Sequence, residues 1–140
     1  MGKTPRLRSN RELKFIFLVG LPGSGKTYKG QQMGGLFLDD ICRTCGHKRL
    51  KEKFTSETVI VADPSLCRFV NRKLAEAMVK DSNPGCEVEW IFFENAPEKC
   101  WANVQHRNDG RVISKHTVNN LSRIYTIPEG VPVLEVWSLQ

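Results

Sequence analysis

Apolar residues in this chain fall into short dense blocks, and the blocks alternate between two rhythms. Phe15-Ile16-Phe17-Leu18-Val19 is an unbroken apolar run, the pattern of a strand buried on both faces. It predicts a strand over residues 14–20. Leu36-Phe37-Leu38 predicts a short strand ending at Asp39-Asp40. Thr58-Val59-Ile60-Val61-Ala62 predicts another, ending at Asp63. Val88 to Phe93 is a fourth and Val131 to Trp137 a closing strand. Helical rhythm fills the gaps. A helix over 26–33 stops at Gly34-Gly35. Leu66, Val70, Leu74, Ala77 and Met78 recur at helical spacing, so this stripe is expected to face the core. Asn83-Pro84-Gly85 is a turn. Pro97 opens a helix carrying Cys100, Trp101 and Val104. Ile113, Val118, Leu121 and Ile124 mark a last helix, ended by Pro128. Residues 40–53 are polar and basic and read as a helix followed by a loop.

Strands alternating with helices imply right-handed crossovers and a parallel sheet. The octapeptide after the first strand says which kind. Gly20-Leu21-Pro22-Gly23-Ser24-Gly25-Lys26-Thr27 fits G-x-x-x-x-G-K-[ST], the phosphate-binding P-loop, between a strand and a helix. Gly20, Gly23 and Gly25 let successive N–H groups turn toward one anion, with Pro22 and Ser24 completing the loop. The helix start adds its dipole there. Lys26 is expected to reach the β- and γ-phosphates of ATP, and Thr27 to hold Mg²⁺. The fold expected is α/β: a P-loop NTPase-type parallel sheet of about five strands with helices on both faces.

Ligands on such sheets sit beyond the carboxyl ends of the strands. Gly20, Asp39-Asp40, Asp63 and Glu94 all fall there. Asp39 and Asp40 are expected to end a strand beside the P-loop strand. One of them, with Asp40 preferred for its spacing to Arg43, would accept the proton of an attacking hydroxyl. Either acid also suits a helix cap. Arg43 would clamp the acceptor. Asp63 holds the place of a Walker-B acid, on the acceptor side and near Mg²⁺ or its waters. Asp63-Pro64 is also an ordinary helix start. Arg107 and Arg111 flank Asn108-Asp109-Gly110 between two helices, placed to neutralise charge on a transferring phosphoryl group.

Net charge changes the picture of the partner. The 140 residues carry +6, much of it at Lys3, Arg6, Arg8, Arg11 and Lys14, and at Arg43, Lys48, Arg49, Lys51 and Lys53. Such a surface draws polyanions, nucleic acid first. The second basic cluster follows the candidate base, so it is expected to flank the acceptor entrance. Residues 1–12 read as a basic flexible arm on a single domain spanning 1–140. No apolar run reaches membrane-spanning length, and no secretory signal opens the chain. Five cysteines with an ATP motif point to a reducing cytoplasm. Cys42-x-x-Cys45-x-His47 is half of a zinc pattern, and no second Cys pair completes it. The tryptophans read as packing residues, and His106 and His116 as surface.

The order of the P-loop, Asp40-x-x-Arg43, Val59-Ile60-Val61-Ala62-Asp63 and the run from Pro97 to Val112 resembles small P-loop kinases. The closest likeness is to phage-type polynucleotide kinase domains and their AAA-like relatives, over roughly residues 14–128. The resemblance implies a general base after the second strand, an arginine on the acceptor phosphate and a lid arginine on the donor. It implies an ATP- and Mg²⁺-dependent kinase of a polynucleotide 5′-hydroxyl, in the host cytoplasm if phage-encoded. Two other readings stay open. One is a kinase of a nucleoside, nucleotide or other small metabolite. The other is a P-loop ATP-binding or ATPase module that phosphorylates nothing.

Overall fold

The computed structural model describes residues 13–39, 46–55, 57–107 and 113–136. The basic arm 1–12, Asp40, Cys42, Arg43, Cys45 and Arg111 lie outside the described residues, and of Gly46, His47 and Lys48 only the backbone is described. Five strands form one parallel sheet: β1 Lys14–Val19, β2 Leu36–Asp39, β3 Thr58–Ala62, β4 Glu87–Phe93 and β5 Val133–Leu134. Their order across the sheet is β2-β3-β1-β4-β5. The helices are α1 Lys26–Gln32, α2 Phe69–Ser82, α3 Pro97–His106 and α4 Lys115–Ile124. Short 3-10 turns, Gly46–Lys51 and Pro64–Cys67, complete the described elements.

Alternation along the strands builds two apolar layers. Phe15, Phe17, Val19, Val59, Val61 and Phe92 face α2 and its neighbours, with Leu50, Ala75, Val79 and Val118. Ile16, Leu18, Ile60, Ala62 and Phe93 face the side of α1. Trp90 stacks on Phe17 at 4.3 Å between ring centres. Rings buried this way contribute about 1.5–3 kcal/mol each, and they hold β1 rigid beneath the P-loop.

Four local expectations are corrected. First, β2 is not beside the P-loop strand. It pairs with β3, Asp39 opposite Ala62, and β3 separates it from β1. Second, the chain after Asp63 makes a 3-10 turn before α2 begins at Phe69. Leu66 is therefore not on the helix whose phase it was used to set. The Val70 and Leu74 stripe faces outward, 60% and 50% exposed, while Arg72, Ala75 and Val79 face the core. Third, among the described residues the closing strand is two residues long, and Trp137 lies outside them. The Glu94 carboxylate takes the Val136 N–H at 2.8 Å, which ends the ladder. Fourth, the last helix starts at Lys115, because Ser114 caps it through the Thr117 N–H.

The basic stretch around residue 50 is also not where charge alone put it. Leu50 is fully buried. Asn83 donates to the Glu52 carbonyl at 2.9 Å and accepts the Phe54 N–H at 3.1 Å. Asn83 caps the carboxyl end of α2, next to the start of β4, where Glu87 N–H bonds Leu13. Lys51 and Lys53 thus flank a residue tied to the amino edge of the sheet. The P-loop sits on the opposite edge.

Candidate active site

The carboxyl edge of β1 runs straight into the P-loop. Gly23 and Gly25 hold left-handed backbone, φ 88° and 106°. At Gly23 space is a second constraint, since a Cβ would lie 2.3 Å from the Cys100 carbonyl oxygen. Helix α3 therefore lies directly on the loop. Asn103, on the same helix, donates from Nδ2 to the Gly23 carbonyl at 2.9 Å. This contact joins residues 80 positions apart. It fixes the loop against the helix that carries Arg107 at its C-cap.

Lys26 is buried, with its Nζ donating to Gly20 O at 2.8 Å, Leu21 O at 2.9 Å and Ser24 Oγ at 3.5 Å. Burial pulls its pKa below the ordinary lysine value, and nearby negative groups oppose that pull. Cys67 and Cys100 lie close, but burial pushes both thiols up to about 11, so both are neutral near pH 7. The carboxylates of Asp39 and Asp63 are what balance the lysine. Thr27 Oγ1 donates to Asp39 Oδ2 at 3.2 Å. Asp39 reaches the P-loop from two strands away because the strand ends converge on one edge.

Lys26, Thr27, Asp39 and Arg107 line one cleft of about 110 Å³ with Pro22, Gly23 and Gly25. Tyr28, Pro64 and Ile113 close its walls. Asp63 sits just behind, 2% exposed, its Oδ1 accepting the Ser65 N–H at 2.8 Å. Glu94 is turned away, held by Val136 N–H and Lys99. His106 and His116 are exposed. Among the described residues no cluster of three His, Cys, Asp or Glu side chains is placed to hold a metal. Sequence reading overlooked Tyr28, Asn103 and Ile113. Position next to the motif was the only signal for Tyr28. For Asn103 and Ile113 there was none, since long-range packing brings them in.

These residues suit a nucleoside triphosphate. Loop N–H groups and Lys26 meet anionic oxygens, and the Thr27 hydroxyl with the Asp63 carboxylate behind it offers oxygen donors of the kind that suit Mg²⁺.

Comparison with known proteins places the chain. No protein-family profile matches it. It is 32% identical over 126 residues to the protein named "Uncharacterized protein R277" of Acanthamoeba polyphaga mimivirus, covering 81% of this chain and 87% of that one. The chain belongs to the R277 family. The R277-family fold is also found in a gluconokinase from Sinorhizobium meliloti 1021, whose crystal structure superposes with a TM-score of 0.57. That likeness spans 93% of this chain and 85% of the gluconokinase at 16% identity. The likeness is one of fold. No described helix is long and apolar enough to cross a membrane.

Proposed function

We propose that this protein is an ATP-dependent kinase acting on the hydroxyl group of a small molecule. The observation that carries this reading is the single cleft where Lys26, Thr27, Asp39 and Arg107 meet. Lys26 and the loop N–H groups hold the donor phosphates. Thr27, with Asp63 behind it, would hold Mg²⁺, which when bound would draw charge off the phosphate oxygens. Among the described residues Asp39 meets the loop directly, through Thr27, so it is assigned as the base that takes the acceptor proton. Arg107 faces the phosphoryl group and neutralises it, and Arg111 and Arg43 are assigned to the lid and the acceptor. Catalysis is mostly positioning and charge neutralisation.

A small acceptor is favoured by two facts. The structural neighbour is a gluconokinase, a kinase with a small-molecule acceptor. In addition, Lys51 and Lys53 flank Glu52, which Asn83 ties to the edge of the sheet opposite the P-loop. A polynucleotide reading keeps the net charge of +6 and the motif order in its favour.

The test is a transfer screen with γ-labelled ATP and Mg²⁺ against sugar acids, polyols, nucleosides, nucleotides and DNA or RNA 5′-hydroxyl ends. Label is expected on a small hydroxyl compound. Label on oligonucleotide ends alone would restore the polynucleotide reading. Tight ATP binding with no acceptor labelled would favour the nucleotide-binding module.

A further inference from the structure

A groove of about 450 Å³ opens between α2 and the segment 128–131. It shares no lining residue with the phosphate cleft. Trp90 and Phe92 of β4 make its floor, and Phe69 and Ala77 of α2 make one wall. The opposite wall is Pro128 and Val131. Its volume falls in the range, about 300–1,000 Å³, that small-molecule sites occupy. Phe69 is 58% exposed beside it, an aromatic ring left outside the core.

The charge around this apolar floor is unbalanced. Arg72 is buried at the groove, and its hydrogen bonds all go to neutral oxygens. NH1 donates to Leu66 O at 2.9 Å and Cys67 O at 3.2 Å, and NH2 to the Thr126 carbonyl and hydroxyl, each at 3.0 Å. No carboxylate pairs with it among the described residues. Lys73 lies over the Phe69 ring at 5.5 Å, and among the described residues it too forms no salt bridge. The groove's one acid, Glu76, is already engaged by Lys80 at 2.7 Å and by Trp90 Nε1 at 2.7 Å. Three cations therefore face one carboxylate around an aromatic floor. A second copy of this chain would bring the same surplus against itself, which disfavours self-association here.

We infer that this groove is a second ligand site, for a compact aromatic anion. The flat body lies against the Trp90 side of the floor, since Arg72 covers the Phe92 ring at 5.3 Å, and a carboxylate, sulfonate or phosphate reaches Lys73 within the field of Arg72. Aromatic contact and charge are then recognised by different residues and can be removed separately.

The probe is 1-naphthylacetate, titrated calorimetrically into the full chain saturated with Mg²⁺-ATP. Saturable one-to-one binding is expected, undisturbed by ATP. The neutral alcohol of the same ring system should bind about fivefold more weakly, and so should Lys73→Glu. Ala77→Trp fills the groove from an exposed helix position and should abolish binding while the thermal melt is kept. Absence of saturable binding overturns the inference. So does competition by ATP, which would put the probe on the P-loop. Binding unchanged by both variants also overturns it, as does a dimer in sedimentation that Ala77→Trp dissociates. None of these results depends on finding the acceptor.

Discussion

The P-loop with α1 and the helix α2 lie on opposite faces of one sheet, and they are organised on opposite principles. In the P-loop, residue identity and backbone geometry are the same statement. Gly23 must be glycine because its φ is 88° and because Cys100 O sits where a Cβ would go. In α2 the arrangement is set from outside. Its buried face carries Arg72 beside Ala75 and Val79, while Phe69, Val70 and Leu74 are exposed. Arg72 takes the core because it satisfies four oxygens across two other segments, joining the 3-10 turn to Thr126. Segments with built-in backbone demands carry function that a sequence declares. Segments defined by periodicity take their orientation from whatever they must clamp.

The largest effect expected from breaking that contrast is on the P-loop side. Lys26→Ala should lower kcat by about 10²–10³-fold or more, the scale of losing one charge aimed at a developing anion. The folded protein should survive, since Lys26 bonds only to loop carbonyls and Ser24. Single-turnover transfer with a circular dichroism check measures both.

On the α2 side the effect should appear in stability. Arg72→Leu leaves the carbonyls of Leu66, Cys67 and Thr126 without their donor. It should cost about 2–4 kcal/mol in urea denaturation. Leu74→Lys, at the position whose spacing suggested core, should change stability by only about 0.5 kcal/mol in either direction. A large loss at Leu74 with a small one at Arg72 would reverse the comparison.

A subtler effect separates the two regions by pH. Burial lowers the Lys26 pKa below the ordinary 10.5, so the unfolded chain holds more protons between those two values. Lys26 burial therefore opposes folding below its folded pKa, and that cost fades as pH rises toward 10.5. Phosphate beside the amine raises its pKa again. ATP binding at a pH between the lowered pKa and 10.5 should then take up protons, and affinity should fall as pH rises through that window. Calorimetry in buffers of different ionisation enthalpy reads the sign. Proton release, or none at all, would contradict the buried-lysine geometry.

Much of this was legible in the chain. Most strands carry a run of consecutive apolar residues, broken in β4 only by Glu89, so the strands could be read directly, and the P-loop declared its own place between β1 and α1. The order of strands was not legible, because pairing of Asp39 with Ala62 depends on crossovers rather than on composition. The α2 stripe misled because the 3-10 turn Pro64–Cys67 resets the helical phase after Leu66. Of the site, Lys26, Thr27, Asp39 and Arg107 were named from sequence and meet in one cleft. The Asn103 clamp on Gly23 could not be read, since nothing local marks a side chain that acts 80 residues away. Charge gave the wrong neighbourhood for Lys51 and Lys53, because charge has no address until Asn83 supplies one.

In the proposed reaction the cleft at Lys26, Thr27 and Asp39 transfers a phosphoryl group, with Asp39 taking the proton. The direct measurement is Asp39→Asn assayed for both ATP affinity and label transfer to the acceptor found by the screen, with Asp40→Asn alongside. Asp39→Asn should bind ATP near normally and lose about 10²–10⁴-fold in kcat, the range for removing a general base. Transfer at the normal rate by Asp39→Asn, with the loss appearing in Asp40→Asn instead, would contradict it.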